Sequence, residues 1–256
     1  MDNTEDFLKE TEFCDFSNKE IKNLSEEIAK NCKNDREFAV SAFYWVRDNI
    51  LYRVGNWQRK ASETLKEKEG TCTNKANLLV ALLRSNNIPA GYGIMKTHGQ
   101  RYFGPISVPM LNKFIGKTSV HAFALVYMDG KWIKCDPSTD KEFSVATSYF
   151  NYTTNLVDWD GNNDAMMNFK EEDVIKKEYP ISNIDPWMTK KSKNSKGIPL
   201  KIAHIYIKFA RENKQKVSSS EEFETLFKNY LKSHNFFYFY LFQLASFYKD
   251  IKSKIF

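Results

Sequence analysis

One stretch, residues 69–89, most constrains how this chain can fold. Gly70 is followed by Cys72 and then by an apolar run whose members recur at helical spacing. The sequence Asn86-Asn87-Ile88-Pro89 ends that periodicity. The pattern predicts an apolar helix that carries Cys72 in its first turn.

Cys72 has two interpretations at this point. The unpaired N–H groups at a helix start favour a thiolate over a thiol and can also hold a developing oxyanion. Free cysteine is also among the most buried residue types, so a packed core position fits equally well. The stretch alone does not choose between nucleophile and core residue.

A hairpin signal supplies two further ionisable residues. The strand-like runs 120–128 and 131–136 are joined by Asp129-Gly130, a typical two-residue hairpin turn. His121 opens the first run and Asp136 closes the second, so both lie at one end of the hairpin. Their register is near but not matched, and a bulge would close the difference.

His121 could be a sheet residue with its hydrogen bonds satisfied, and Asp136 could start an Asp-Pro turn. Together with Cys72, however, they supply a nucleophile, a general base and a group that orients the base. The combination favours cysteine catalysis over three separate structural roles.

The rest of the chain is predicted as mainly helical at both ends. Helices are expected at 19–32, starting from an S-x-x-E capping pattern at Ser17, at 35–49 and over most of 199–256, and a strand at 90–96. The expected organisation is N-terminal helices in 1–50, a catalytic core in 51–197 and a helical extension in 198–256, packed as one unit. Residues 98–119 form an insertion and a candidate substrate lid. Residues 138–196 are expected to be loops and short elements.

Composition limits the cellular compartment and the classes of partner that we expect for this protein. The net charge of +6 rests on dispersed lysines, with one concentration at Lys190, Lys191, Lys193 and Lys196, which is more typical of a solvated surface than of nucleic-acid binding. The most apolar run, 236–248, is too short to span a membrane. Four separated cysteines and an acidic, polar start predict a reduced, cytoplasmic protein.

A zinc site formed by Cys72, His121 and Cys135 is the metal alternative. No pair among them has the close spacing of structural zinc ligands. Cys135 and Asp136 point to opposite faces of a strand, so Cys135 is expected in the core. We therefore expect no metal and no cofactor.

The region from about 45 to 140 resembles the transglutaminase-like superfamily, a papain-related group of cysteine enzymes. The matching segments are Ala61-Ser62-Glu63-Thr64-Leu65, Gly70-Thr71-Cys72, the helix from Ala76 to Arg84 with Ile88-Pro89-Ala90, His121-Ala122, Asp129-Gly130-Lys131-Trp132 and Cys135-Asp136-Pro137-Ser138. The resemblance implies an α+β, papain-like fold in which the cysteine helix packs on an antiparallel sheet, with helical additions at both ends. It also implies that Cys72 is the nucleophile, His121 the general base and Asp136 the orienting acid.

The resemblance implies an acyl-enzyme thioester on Cys72 that an amine or water discharges. A second oxyanion donor is expected just upstream of Cys72, with Gln58 and Trp57 as the candidates and Asn56 as a weaker one. Several aromatic side chains flank the three residues and either line a substrate groove or pack in the core: Tyr92, Tyr102, Phe103, Phe114 and the run Tyr149-Phe150-Asn151-Tyr152.

Amide formation by transfer to an amine is our first expectation. The acyl donor would be an amide or a carrier-protein thioester, as for small stand-alone microbial members in natural-product pathways, and the basic chain would suit an acidic carrier. Hydrolysis by a peptidase or amidase is the alternative. A catalytically inactive binding module is a third, disfavoured because all three positions are intact. Calcium-dependent crosslinking is disfavoured because the chain cannot hold the extra domains and has no EF-hand-like loop.

Overall fold

A central helix against a four-stranded sheet organises the computed structural model, which describes residues 4–147, 156–167, 170–189, 197–213, 217 and 219–255. The helices are α1 (Lys19–Ala29), α2 (Asp35–Asn49), α3 (Ala61–Glu67), α4 (Cys72–Ser85), α5 (Gly99–Phe103), α6 (Pro109–Asn112), α7 (Lys141–Thr147), α8 (Asp185–Met188), α9 (Ile198–Glu212), α10 (Ser220–His234) and α11 (Phe236–Ile255). The strands are β1 (Leu51–Tyr52), β2 (Glu69–Gly70), β3 (Ala90–His98), β4 (Thr118–Met128), β5 (Lys131–Cys135) and β6 (Val174–Ile181).

The main sheet has the order β5-β4-β3-β6 with antiparallel neighbours throughout. The predicted hairpin is confirmed, with Met128 paired to Lys131 across a two-residue turn. Asp129 and Gly130 both have positive φ, 51° and 75°, as the right-handed twist of the flanking strands requires. This hairpin carries His121 and ends next to Asp136.

The predicted strand over 90–96 is also confirmed and extends to His98. Its glycine at position 93 lies opposite Phe123 in the sheet register. A Cβ on Gly93 would come within 2.1 Å of the Phe123 ring, so the strand needs glycine there. The aromatic ring of β4 therefore covers the backbone of β3.

Helix α4 is buried on all sides. Every residue from Asn74 to Arg84 is buried, because α1, α2 and α3 pack on one side of the helix and β3 and β4 on the other. The apolar residues from Ala76 to Leu83 require such cover, and the buried polar side chains of the helix hydrogen-bond to neighbouring segments. The expected α+β architecture, with the cysteine helix packed on an antiparallel sheet, is confirmed.

The C-terminal helices α9, α10 and α11 form a second hydrophobic cluster with the 98–119 insertion and α7. The hydroxyl of Tyr206 donates to the Ile106 carbonyl at 3.1 Å, and Glu224 accepts a hydrogen bond from the backbone N–H of Met110. The segment predicted as a lid is thus hydrogen-bonded to α9 and α10.

Two local predictions need correction. Helix α1 begins at Lys19 with Asn18, and not Ser17, as its N-cap, and it ends at Ala29. Strand β6 lies in the region expected to be loops and short elements. Its residues are mostly exposed, as on a sheet edge, so its sequence lacks the apolar alternation that identifies a strand.

Two groups singled out by the sequence, the 149–152 aromatic run and the 190–196 lysines, lie outside the described residues. Among the helices that are described, none has the length and apolarity needed to cross a bilayer.

Candidate active site

Cys72 is the first residue of α4 and is half-buried. Thr71 caps the helix: its hydroxyl accepts from the Asn74 backbone N–H, while the Asn74 side chain accepts from the Thr71 N–H at 3.0 Å. The Asn74 side chain also packs on Gly70, where a Cβ would lie 2.7 Å from the Asn74 Cβ. The Gly-Thr-Cys sequence thus forms a closely packed turn into α4 and places the thiol at the first residue of the helix.

His121 and Asp136 form a buried pair with no solvent exposure. Nε2 of His121 lies 2.8 Å from Oδ2 of Asp136. The other carboxylate oxygen of Asp136 accepts from the backbone N–H and the hydroxyl of Ser138. Each carboxylate oxygen is therefore hydrogen-bonded, and the imidazole is held through Nε2.

No bulge is needed to bring these two side chains together. The β4–β5 ladder runs regularly to the Ala124–Cys135 pair, so Asp136 follows directly after the strand. Continuing the register would place His121 opposite Ser138, which makes Asp136 its diagonal neighbour on the same face. Diagonal contact replaces the register shift that we expected.

Tyr102, from the 98–119 insertion, contacts the other imidazole nitrogen. Its hydroxyl lies 3.0 Å from Nδ1 of His121. The His121 ring also lies nearly parallel to Phe123, at 6.3 Å between ring centroids and 20° between planes. Hydrogen bonds at both nitrogens and a neighbouring aromatic ring determine the orientation of the imidazole.

The electrostatics of the site favour an ion pair. Burial raises the pKa of the Cys72 thiol, but hydrogen bonding to His121, the imidazolium charge and the Ala122 backbone together bring it below its ordinary value. Burial lowers the pKa of His121, and the charge and hydrogen bond of Asp136 more than reverse this, leaving it raised. Burial likewise opposes ionisation of Asp136, whereas the charge of His121 holds the pKa of that carboxyl low. A thiolate facing an imidazolium is the arrangement found in nucleophilic cysteine sites.

The two oxyanion candidates lie in the loop before α3. The Trp57 side chain is half-buried against the main cluster, and its carbonyl accepts from Asn74 Nδ2 at 2.7 Å, which ties the loop to the start of α4. Gln58 is exposed, and its backbone N–H donates to the exposed Asn56. Their role as oxyanion donors stays a prediction.

Four of the aromatic residues that flank the predicted site have different surroundings. Tyr92 is fully buried, and its hydroxyl donates to Asn77 Oδ1 at 2.8 Å, so this residue is a core residue and no substrate can reach it. Tyr102 and Phe103 are half-buried, and their rings pack edge to face with 4.5 Å between centroids. The Tyr102 ring also lies 5.7 Å from the His121 ring. Phe114 packs at 5.0 Å on Phe242 of α11.

Cys135 lies in the main hydrophobic cluster and is fully buried, as expected for a core residue. Within the part of the chain that is described, no three His, Cys, Asp or Glu side chains group as a metal site.

A second layer of polar residues, which the sequence did not reveal, supports the site. Asp140 is 2% exposed and accepts from the Tyr52 backbone N–H at 2.7 Å and from Arg211 of α9 at 2.5 Å. Arg211 also donates to the Tyr52 carbonyl. Arg211 and Asp140 are 71 positions apart in the chain, so no local sequence pattern predicts their ion pair.

Lys75, one turn after Cys72, is also part of this layer. It is fully buried and donates to the carbonyls of Arg47 and Ile50, at 3.1 and 2.6 Å. Burial lowers its pKa to about 7. Its sequence position on an apolar helix gave no sign of these partners.

Comparison with known proteins finds a similarity to one family over part of the chain. Residues 22–137 match the family model of the transglutaminase-like superfamily. The match begins within α1 and ends at Pro137, so it contains Cys72, His121 and Asp136. A search of curated proteins found no match.

Two solved structures are similar to part of the chain. One is a “putative cysteine protease” from Cytophaga hutchinsonii, with 25% identity and a TM-score of 0.40 over 52% of this chain and 40% of that one. The other is a “putative protease” from Parabacteroides distasonis, with 15% identity and a TM-score of 0.35 over 53% of this chain and 25% of that one. This chain thus spans less than half the length of either protein.

Proposed function

We propose that this protein is a cysteine-dependent acyltransferase that forms an amide bond through a thioester on Cys72. The match of residues 22–137 to the transglutaminase-like family model supports this reaction class. The observation that carries the proposal is the arrangement around His121. Its Nε2 is hydrogen-bonded to Asp136 at 2.8 Å, and its imidazole lowers the pKa of the half-buried Cys72 thiol. These are the contacts that a nucleophile, a base and an orienting acid require.

In the first half-reaction, the Cys72 thiolate attacks the carbonyl carbon of an amide or thioester. The resulting oxyanion is held by the Cys72 backbone N–H at the start of α4 and by a donor from the Trp57–Gln58 loop. The imidazolium of His121 gives its Nδ1 proton to the departing amine or thiol. The products are an acyl-Cys72 thioester and a neutral imidazole that Asp136 still orients.

In the second half-reaction, the nitrogen of an amine attacks the thioester carbonyl. Nδ1 of His121 takes the proton that the amine loses, and the bond from the carbonyl carbon to Sγ breaks. The Cys72 thiolate and the imidazolium are restored as the amide leaves. Water in place of the amine would give a carboxylic acid and make the protein a hydrolase.

An acyl group on an acidic carrier protein is the donor that we favour. Its support is the net charge of +6, which suits a negatively charged partner, together with two half-buried rings, Tyr102 beside the imidazole and Phe103 packed on Tyr102, which can contact an apolar acyl chain. Raising the salt concentration should weaken use of an acidic carrier and leave a small thioester unaffected.

The proposal is tested by intact-mass measurement of the protein after incubation with a short acyl thioester. We expect a single acyl adduct that is lost in Cys72→Ala and kept in Cys32→Ser, which removes the other half-buried cysteine. Adding a primary amine should discharge the adduct faster than buffer alone and yield the amide. Discharge at the same rate with and without amine, with free acid as the product, would identify a hydrolase, and the absence of any adduct would indicate a binding module.

A further inference from the structure

Helix α11 presents a large apolar surface to solvent. Six side chains, which we call the α11 outer face, are between 41% and 69% exposed: Phe237, Tyr240, Leu244, Phe247, Tyr248 and Ile251. The opposite side of the helix, with Phe239 and Phe242, is buried in the second hydrophobic cluster. The outer face is therefore a second apolar side, which the helix does not need for its own packing.

The spacing along this face is that of a helix–helix contact. Phe237, Tyr240, Leu244, Phe247 and Ile251 follow one another at steps of three and four residues. Side chains at these steps form one stripe along a helix and pack between the side chains of a second helix.

The exposed area is close to what one partner contributes to a stable dimer. From their exposed fractions, these six residues offer roughly 700 Å² of surface that is apolar except for two tyrosine hydroxyls. That exceeds the largest apolar patch of a typical monomer and approaches the share of one partner in a standard interface.

The distribution of charge favours a copy of the same helix. From Phe236 to Tyr248 there is no charged side chain. The next two charges contact their own protein: Asp250 pairs with Lys113 at 3.2 Å, and Lys249 lies 5.0 Å from the Phe114 ring. Two identical faces can therefore meet without bringing like charges together. Helices that lie on a membrane surface carry Lys and Arg on a polar side that faces water. In α11 the side opposite the outer face is instead apolar and buried.

Apart from Phe247, the face is also symmetric about Leu244. Phe237 and Ile251 lie seven positions to either side of it, and Tyr240 and Tyr248 lie four positions to either side. A two-fold axis through Leu244 would place Phe237 against Ile251 and Tyr240 against Tyr248 of an antiparallel second helix. Each contact then occurs twice, as in any interface between identical surfaces.

We propose that the α11 outer face is the interface of a homodimer, in which two copies of α11 pack antiparallel about a two-fold axis at Leu244.

Light scattering of the full chain after gel filtration tests the dimer. We expect twice the chain mass of 30.0 kDa for the wild type. Leu244→Lys with Phe247→Lys should give the single-chain mass, whereas Ile175→Lys, at a 44% exposed apolar position on β6, should not. Circular dichroism verifies that each variant is folded. A monomeric wild type would overturn the proposal, including the case in which the monomer floats with vesicles of zwitterionic and anionic lipid.

Disulfide crosslinking tests the axis without disturbing the fold. In a Cys32→Ser background, Leu244→Cys should form a linked dimer on mild oxidation, because only residues near the axis meet their own copies. Phe237→Cys should not, because its two copies would lie about 20 Å apart along the helices. Efficient crosslinking at Phe237 would indicate parallel helices, and no crosslinking at Leu244 would place the interface elsewhere. Either result contradicts the proposal.

Discussion

The hydroxyl of Tyr102 lies 3.0 Å from Nδ1 of His121, the imidazole nitrogen that Asp136 leaves unoccupied. In the proposed reaction this nitrogen must accept a proton and return it. A side chain of the 98–119 insertion thus contacts the atom on which the chemistry depends. We therefore expect the Tyr102 hydroxyl to position the base, while its ring stays available to an acyl chain.

Tyr102→Phe should lower kcat/KM about tenfold, because removing one hydrogen bond lets the imidazole leave its productive orientation. The measurement is the pH profile of kcat/KM, whose limbs report the ionisation of the free enzyme. Tyr92→Phe is the matched control. It removes a buried tyrosine hydroxyl from Asn77, so it should reduce stability and leave the profile unchanged. An unaltered profile in Tyr102→Phe would contradict the positioning role.

Alkylation of Cys72 by iodoacetamide should persist at mildly acidic pH. Despite burial, the thiol pKa is lowered by His121, so the reactive thiolate remains as pH falls below the ordinary thiol range. The label should disappear in Cys72→Ala and remain in Cys32→Ser. Peptide mapping after labelling at several pH values measures this, and a Cys72 that reacts only above neutral pH would refute the prediction.

Asp136→Asn should destabilise the fold by about 3 kcal/mol, most strongly in mildly acidic solution, because it removes one member of a buried pair. Asp136 raises the pKa of His121 above its ordinary 6.5. The stabilisation from this shift is complete below 6.5 and is lost as pH rises through the raised value. Urea unfolding at pH 6 and pH 9 should therefore give a smaller difference between wild type and variant at pH 9. A difference that grows with pH would show that the pair is not charged.

Arg211→Ala should cost about 3 kcal/mol and reduce activity, although α9 lies outside the family match. The substitution leaves the buried carboxylate of Asp140 without its ion pair and frees the segment that follows Asp136. Lys208→Ala is the control on the same helix, since its ion pair with Glu212 is exposed and 3.9 Å long. Chemical denaturation and acyl-adduct formation provide the two measurements. Equal effects of the two variants would show that α9 does not support the site.

Sequence patterns predicted the parts of the site that depend on local order. Cys72 follows a glycine turn and precedes an apolar helix, and the turn at Asp129-Gly130 determines which residues of its two strands are neighbours. Both signals act over a few residues, where backbone preferences and periodicity decide the structure. Strand β6 escaped prediction because an exposed edge strand needs no apolar alternation.

The sequence by itself determined the cysteine helix, the hairpin with His121 and the position of Asp136 at its end, because each is specified by neighbours in the chain. Only the tertiary structure decided that Tyr102 contacts the imidazole, that Tyr92 is buried and that Arg211 pairs with Asp140. These contacts join segments far apart in sequence, and they form because buried polar groups must find partners wherever packing brings them. Helix α11 is a further example. Its apolar residues are evident in the sequence, but only the tertiary structure determines which of them are buried and which are exposed.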